Sequence, residues 1–178
     1  MIRSNIPNLF TFMNLFCGLM AIGLSTEGKT KQALVLIIIG VILDCMDGRM
    51  ARLLKVTSDL GIELDSLADL ITFGVAPAFV VYHIWFSEYG FIGLIFTCLF
   101  PMFGAYRLAR FNITTSEETL YYFSGVPITA AGSILAIISF LSTYFGVITV
   151  SIILLLLNYL MVSKIKIPSF KKFKFSNR

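Results

Sequence analysis

The chain has 178 residues, of which 57% are hydrophobic and only 13% are charged, and its mean hydropathy is +0.88. Soluble domains average about 45–50% apolar and about 25% charged residues, so this composition excludes a disordered chain, a coiled coil and a nucleic-acid-binding arm, and argues against an ordinary soluble domain. The net charge of +4 comes from basic residues that cluster at the ends of long uncharged stretches, a pattern typical of membrane proteins.

Six apolar stretches, most of them near the roughly 20 residues that cross a bilayer, predict an all-α integral membrane bundle of six transmembrane helices. In chain order they cover approximately residues 6–24, 32–54, 58–86, 91–110, 125–145 and 147–162. Arg3 precedes the first stretch as it would in a signal peptide, but no A-x-A-like cleavage site follows, so we expect a retained helix. Pro77 and Pro101 lie inside the third and fourth stretches, where they predict kinks.

The basic residues divide unevenly between the two sides of the predicted bundle. Of the 14 Lys and Arg residues, only Lys29 and Lys31 lie in the loop between the first and second stretches, on the side away from the termini. The other 12 lie on the side of the termini. Because positive residues are retained in the cytoplasm, both termini are predicted to be cytoplasmic in a multi-pass protein of the cytoplasmic membrane. Residues 1–163 are the predicted membrane domain, and 164–178 are a basic cytoplasmic tail that either lies on anionic lipid or is a plain positive anchor.

Four aspartates in the second and third stretches carry the functional signal, because a carboxylate at the centre of a membrane span costs about 2.5–3.5 kcal/mol. Asp44 and Asp47 are three residues apart, and Asp65 and Asp69 are four apart, so each pair shares one helix face. The short loop between these helices makes them antiparallel neighbours, and the two pairs are predicted to face each other near the cytoplasmic boundary. Four convergent negative charges need compensation, either by protonation or by hard divalent cations, and two Mg²⁺ or Mn²⁺ ions in one site suit phosphoryl transfer.

Small residues share the helix faces of these aspartates. Gly48, Ala51 and Gly61 each lie four residues from an aspartate, which leaves a cleft where a phosphate can approach the backbone. Arg52 follows directly and is suited to bidentate phosphate binding. Polar helix ends that reach water would explain a single aspartate, but four at these spacings beside glycine and arginine favour a site.

The segment 44–69, DCMDGRMARLLKVTSDLGIELDSLAD, matches D-x-x-D-G-x-x-A-R-x8-G-x-x-x-D-x-x-x-D at all eight fixed positions. It resembles the signature of the CDP-alcohol phosphotransferases, which are six-helix integral membrane enzymes with a site at the cytoplasmic boundary. Members transfer a phosphatidyl-type group from a CDP-linked lipid, or an alcohol phosphate from a CDP-alcohol, to an acceptor hydroxyl, and CMP leaves.

The resemblance assigns roles to the motif positions. It implies that two divalent cations, Mg²⁺ or Mn²⁺, are held by Asp44, Asp47, Asp65 and Asp69. It further implies that Asp69 is the general base for the acceptor hydroxyl. The positions implied to contact the CDP moiety are Gly48, Ala51, Arg52 and Gly61.

Three further stretches resemble the phosphatidylserine synthase branch of this family: IPNLFTFMNLFCG (6–18), YRLARFN (106–112) and FSGVPITAAG (123–132). This implies transfer of the phosphatidyl group from CDP-diacylglycerol, or an ether-lipid equivalent, to L-serine, which gives phosphatidylserine and CMP. The family also implies a homodimer. The alternatives are the same chemistry with glycerol 3-phosphate or inositol phosphate as acceptor and, more remotely, a divalent-cation transporter, which the apolar run LVLIIIGVIL (34–43) beyond the aspartates disfavours.

Two smaller groups complete the candidate site. Arg107 and Arg110, three residues apart at the end of the fourth stretch, are predicted to bind the lipid phosphate or the serine carboxylate, and a positive-inside anchor is the alternative. Pro7, Asn8 and Thr11 at the start of the first helix are predicted to contact the CDP-lipid, and ordinary helix-start chemistry is the alternative.

Overall fold

The structure is a computed structural model that describes residues 5–54, 58–113, 122–163 and 166–168. Seven α-helices form within these residues. They are α1 (Asn5–Thr26), α2 (Thr30–Leu54), α3 (Asp59–Asp69), α4 (Ala76–Val81), α5 (Gly90–Ile113), α6 (Ile128–Phe140) and α7 (Val147–Val162). The predicted all-α class is confirmed.

The third predicted stretch is a composite of helical segments. Helix α3 continues directly into a π-helical turn at Leu70–Val75, then into α4, and then into a second π-helical turn at Tyr82–Phe86. Pro77 lies in the first turn of α4, directly after the first π turn, so a change of helix type precedes the residue that cannot donate a backbone hydrogen bond. A 3₁₀ turn at Ser87–Tyr89 and Gly90, with φ of 53°, then lead into α5.

Helix α1 ends in a turn at Gly28 that reverses the direction of the chain. Gly28 has φ of 76°, a conformation that favours glycine. Its N–H donates to the carbonyl of Ser25 (3.0 Å), and the N–H of Lys29 donates to that of Leu24 (2.9 Å), which is the Schellman pattern. Helix α2 therefore runs back and packs along α1.

The core lies where α2 and α4–α7 meet, and the outer faces of the helices are also rich in apolar side chains. Fully buried side chains include Ile37, Phe73, Phe100, Leu135 and Leu154. Large apolar side chains are also exposed on the outer faces, among them Phe16, Ile38, Ile92, Phe140, Ile148 and Tyr159. A soluble monomer rarely exposes so much apolar surface, whereas a protein surrounded by lipid does.

Two stretches of the described helices are long and apolar enough to cross a bilayer, namely Asn8–Thr26 and the 55-residue stretch Asp59–Ile113 that turns at Gly90. Helix α2 has 25 residues but contains both aspartates and three basic residues, which lowers its mean hydropathy. Helices α6 and α7 are apolar but have 13 and 16 residues. The six crossings and the side of the termini therefore stay predictions.

The described residues also include a short strand pair that the sequence did not predict. Backbone residues Tyr122–Ser124 (β1) pair antiparallel with Lys166–Pro168 (β2), with Phe123 opposite Ile167. Strand β2 belongs to the predicted basic tail, so these three tail residues fold back onto the segment that precedes α6. The other tail residues lie outside the described part of the chain.

Candidate active site

Two neighbouring helical segments bring carboxylates together. Asp44 lies in the second half of α2, whereas Asp65 and Asp69 lie in the last turns of α3. One oxygen from each of these three side chains lies within 4.8 Å of the other two. Asp69 is buried and the other two are half-buried, so the cluster sits at the edge of the core and is open on one side.

The fourth aspartate belongs to the same group of charges but is held from a third helix. Asp47 is buried one turn beyond Asp44, and its Oδ2 accepts a hydrogen bond from the hydroxyl of Thr11 in α1. It also interacts electrostatically with Asp65 and Asp69. Helix α1 thus contributes directly to the candidate site by orienting one carboxylate.

The start of α3 meets the start of α1. Ser58 caps α3, because its Oγ accepts a hydrogen bond from the Gly61 N–H at 3.1 Å. A Cβ on Gly61 would lie 3.2 Å from Oδ1 of Asn8, so the glycine allows the two helix starts to approach closely. Two of the predicted CDP-binding positions, Asn8 and Gly61, are therefore neighbours. Gly48 is exposed on α2, and the side chains of Pro7, Ala51 and Arg52 lie outside the described part of the structure.

Arg107 from α5 is a buried cation beside the carboxylates. It is 6% exposed, interacts electrostatically with Asp69, and lies over the ring of Phe111 with 5.5 Å between its Cζ and the ring centroid. Its Nε has no hydrogen-bond partner among the described residues. A buried guanidinium with an unused donor is suited to bind a carboxylate or phosphate of a ligand.

Arg110, one turn further along α5, serves a different contact. Its guanidinium donates to the backbone carbonyls of Val162 (2.9 Å) and Ser163 (3.4 Å) at the end of α7. The structure therefore separates the two predicted arginines, since one lies at the carboxylates and the other holds the last described helix.

Asn112 connects α5 to α3 by hydrogen bonds and was not among the predicted site residues. Its side-chain amide donates to the carboxylate of Glu63 (3.3 Å to each oxygen) and to the hydroxyl of Ser66 (3.1 Å). These contacts hold the end of α5 beside the helix that carries Asp65 and Asp69. The only sequence signal was that Asn112 closes the YRLARFN stretch, which says nothing about its partners.

Comparison with known proteins shows the family to which the chain belongs. The family model described as CDP-alcohol phosphatidyltransferase matches residues 4–163. The chain belongs to this family. The resemblance inferred from the aspartate motif is therefore confirmed.

Similar members of the phosphatidyltransferase family share the name CDP-diacylglycerol–serine O-phosphatidyltransferase. The Helicobacter pylori protein is 43% identical over 176 residues, which is 96% of this chain and 74% of that one. The Bacillus subtilis protein is 44% identical over 167 residues (94% and 92%). The Methanocaldococcus jannaschii protein is 36% identical over 165 residues (93% and 74%).

The donor set of this phosphatidyltransferase fits a divalent cation. Oxygens bound to one Mg²⁺ at about 2.0–2.1 Å lie up to about 4 Å apart, close to the spacing of the three grouped carboxylates. The buried Oδ1 of Asp69 has no hydrogen-bond partner among the described residues, so it is available as a ligand or as a proton acceptor. Carboxylates are the ligands that Mg²⁺ and Mn²⁺ prefer, and four of them in one place need positive charge.

Proposed function

We propose that this protein transfers the phosphatidyl group of CDP-diacylglycerol, or of an ether-lipid equivalent, to the hydroxyl of L-serine. The products are phosphatidylserine and CMP. The observation that carries the proposal is the convergence of the carboxylates of Asp44, Asp65 and Asp69 within 4.8 Å in a member of the CDP-alcohol phosphatidyltransferase family. The names of its relatives, which are serine O-phosphatidyltransferases, support serine as the acceptor.

Two divalent cations, Mg²⁺ or Mn²⁺, would be held by the aspartate cluster. Asp44, Asp65 and Asp69 supply the grouped oxygens, and Asp47, fixed by Thr11, completes the set. When bound, the cations offset the charge of the diphosphate and of the departing CMP. Oriented outer groups such as the Thr11 hydroxyl stabilise a ligand's geometry, so α1 contributes to the site without touching the cations.

Asp69 is the proposed general base. The serine hydroxyl attacks the lipid-side phosphorus, the P–O bond to CMP breaks, and the hydroxyl proton passes to a carboxylate oxygen of Asp69. Asp69 is suited to this role because its Oδ1 is buried and unpartnered within the described residues. The hydroxyl needs to lose its proton only as the new bond forms, so a carboxylate of modest basicity suffices.

Arg107 is the proposed binding group for the serine carboxylate or the lipid phosphate. A zwitterionic acceptor needs a cation for its carboxylate, and Arg107 is a buried cation within electrostatic range of Asp69. Arg110 was predicted for the same role. Its bonds to the carbonyls of α7 support a structural contribution beside that role.

The CDP moiety is proposed to lie where the starts of α1 and α3 meet the end of α2. Asn8 and Gly61 are neighbours there, and Thr11 reaches the aspartate cluster from the same side. The full proposed set is Pro7, Asn8, Thr11, Gly48, Ala51, Arg52 and Gly61. The glycines leave the backbone accessible, which suits a diphosphate.

The proposed setting is the cytoplasmic membrane, with six crossings, both termini cytoplasmic and the site at the cytoplasmic face. The supporting observation is the charge distribution, with 12 of the 14 basic residues on the side of the termini. Residues 1–163 would form the membrane domain and 164–178 the basic tail. A homodimer is proposed from the family resemblance alone.

The test is CMP release by the purified protein from CDP-diacylglycerol, with serine, glycerol 3-phosphate or inositol phosphate as acceptor, and with EDTA, Mg²⁺ or Mn²⁺. We expect CMP and phosphatidylserine only with serine and metal. A lipid product made from another acceptor, and none from serine, would overturn the serine assignment. Metal uptake into proteoliposomes without CMP release would instead support the transporter.

A further inference from the structure

The chain changes helix type immediately after the proposed general base. Helix α3 ends at Asp69, and the π-helical turn Leu70–Val75 begins at the next residue. Directly after the turn, the N–H of Ala76 donates to the carbonyl of Ile71, five residues back. Single π turns inside α-helices recur at functional sites, because the extra residue changes the direction of the side chains around it.

A buried threonine in this turn joins three helices. Thr72 is fully buried, and its hydroxyl donates to the backbone carbonyl of Asn14 in α1 at 3.0 Å. A Cβ on Gly18 of α1 would lie 2.4 Å from Thr72 Oγ1, and a Cβ on Gly40 of α2 would lie 2.6 Å from Thr72 Cγ2. Thr72 is therefore held between two glycines and bonded to a third residue, none of them in its own helix.

The buried Oδ1 of Asp69 has no hydrogen-bond partner among the described residues. No described hydrogen bond fixes the direction of that oxygen, so before a cation binds, its direction follows from the helix backbone. Thr72 is three residues further on, at the place where that backbone is attached to α1 and α2. Thr72 Cγ2 lies against Gly40 of α2, the helix that also carries Asp44, so Thr72 links the backbone that follows Asp69 to the helix of a second carboxylate.

We propose that Thr72 is a positioning residue for the phosphatidyl transfer. It holds the π turn in the register that directs Asp69 toward the carboxylate of Asp44. This inference rests on the proposed function, in which Asp69 accepts the proton of the acceptor hydroxyl.

The first test is Thr72→Val, which keeps the shape of the side chain and removes the hydroxyl. We expect kcat to fall about 10–100-fold while the KM values for CDP-diacylglycerol and serine change less than about threefold, because misplacing a reacting group slows the chemical step without removing binding contacts. Thr72→Ser keeps the hydroxyl and should restore most of kcat. Thr97→Val is the matched control, since this buried hydroxyl donates to Gly93 and Leu94 of its own helix α5.

A second pair of variants tests the same anchor from α1. Gly18→Ala places a methyl group against Thr72, whereas Gly23→Ala in the same helix has nothing within 4 Å. We expect the first variant to lower kcat as Thr72→Val does and the second to leave it unchanged. Rates are compared per amount of monodisperse protein in detergent, and Gly18→Ala and Thr72→Ser decide the matter if Thr72→Val does not fold.

The outcomes separate the two proposals. An unchanged kcat in folded Thr72→Val, or a loss that Thr72→Ser does not rescue, would overturn the positioning role. Failure of the wild-type protein to make phosphatidylserine would overturn the proposed function instead.

Discussion

Asp69 is the residue at which the features of the candidate site meet. It is 8% exposed, lies beside Asp44 and Asp65, and is within electrostatic range of Arg107. A buried carboxylate among other carboxylates is costly unless cations compensate it. We therefore expect Asp69 to lower the stability of the fold in the absence of a compensating cation.

Replacing Asp69 with Asn keeps the size of the side chain, removes its negative charge and replaces one carboxylate oxygen with an amide nitrogen that cannot act as a base. We expect serine-dependent CMP release to fall by at least about 10²–10⁴-fold, the usual contribution of a positioned base. Asp59→Asn is the matched control, because Asp59 is an exposed carboxylate in the first turn of the same helix. Wild-type turnover in Asp69→Asn would show that another group takes the proton.

Thr11→Val tests the orientation of Asp47. Without the hydroxyl that donates to Asp47, we expect the Mg²⁺ concentration for half-maximal CMP release to rise about 10–100-fold, as for other losses of an outer-shell group. Activity should return at high Mg²⁺. Thr26→Val in the same helix is the control, since that hydroxyl bonds Gly23 and is exposed. An equal metal requirement in both variants would remove Thr11 from the metal site.

At the scale of elements, the end of α7 is held by two separate parts of the chain. The last carbonyls of a helix lack partners within it. Here Arg110 binds those of Val162 and Ser163, and the Val126 N–H donates to that of Leu160 at 3.2 Å. The positive guanidinium also complements the negative end of the helix dipole. This arrangement couples α5, which carries Arg107, to the last described helix.

Gly125→Ala should disturb this junction more than a glycine turn elsewhere. Gly125 has φ of 79°, and a Cβ there would lie 2.5 Å from the carbonyl oxygen of Met161. Gly28→Ala has a similar φ, 76°, with nothing within 4 Å, so it measures the backbone strain alone, about 1–2 kcal/mol. We expect a larger fall in Tm for Gly125→Ala by thermal unfolding in detergent. Equal falls would mean that the contact with α7 contributes nothing.

At the scale of the whole molecule, hydropathy and spacing predicted most of the helices and the meeting of α2 with α3. The two arginines show where that method ends, because Arg107 and Arg110 are equivalent by spacing and differ only through packing. Arg110 is 52 residues from its partner Val162 in the sequence, and Asn112 is 49 residues from its partner Glu63. The π turn after Asp69 was also not predicted, since the periodicity of apolar residues does not reveal to which carbonyl a backbone N–H donates.

The predicted orientation can be tested on intact membranes. In right-side-out vesicles, a C-terminal epitope should resist external protease, and Lys29→Cys should react with a membrane-impermeant maleimide, because Lys29 follows α1 on the side with few basic residues. Inside-out vesicles should give the opposite result and serve as the control. Cleavage of the epitope in right-side-out vesicles would reverse the proposed topology.

The position of Arg107 beside Asp69 has a consequence for biosynthesis. All four aspartates precede this cation in the sequence, and Arg107 follows Asp69 by 38 residues, so a chain that ends after α3 lacks the positive charge that lies beside Asp69 in the folded protein. A released chain truncated after Asp69 should therefore be extracted from membranes by alkali more readily than a released chain that extends through α5.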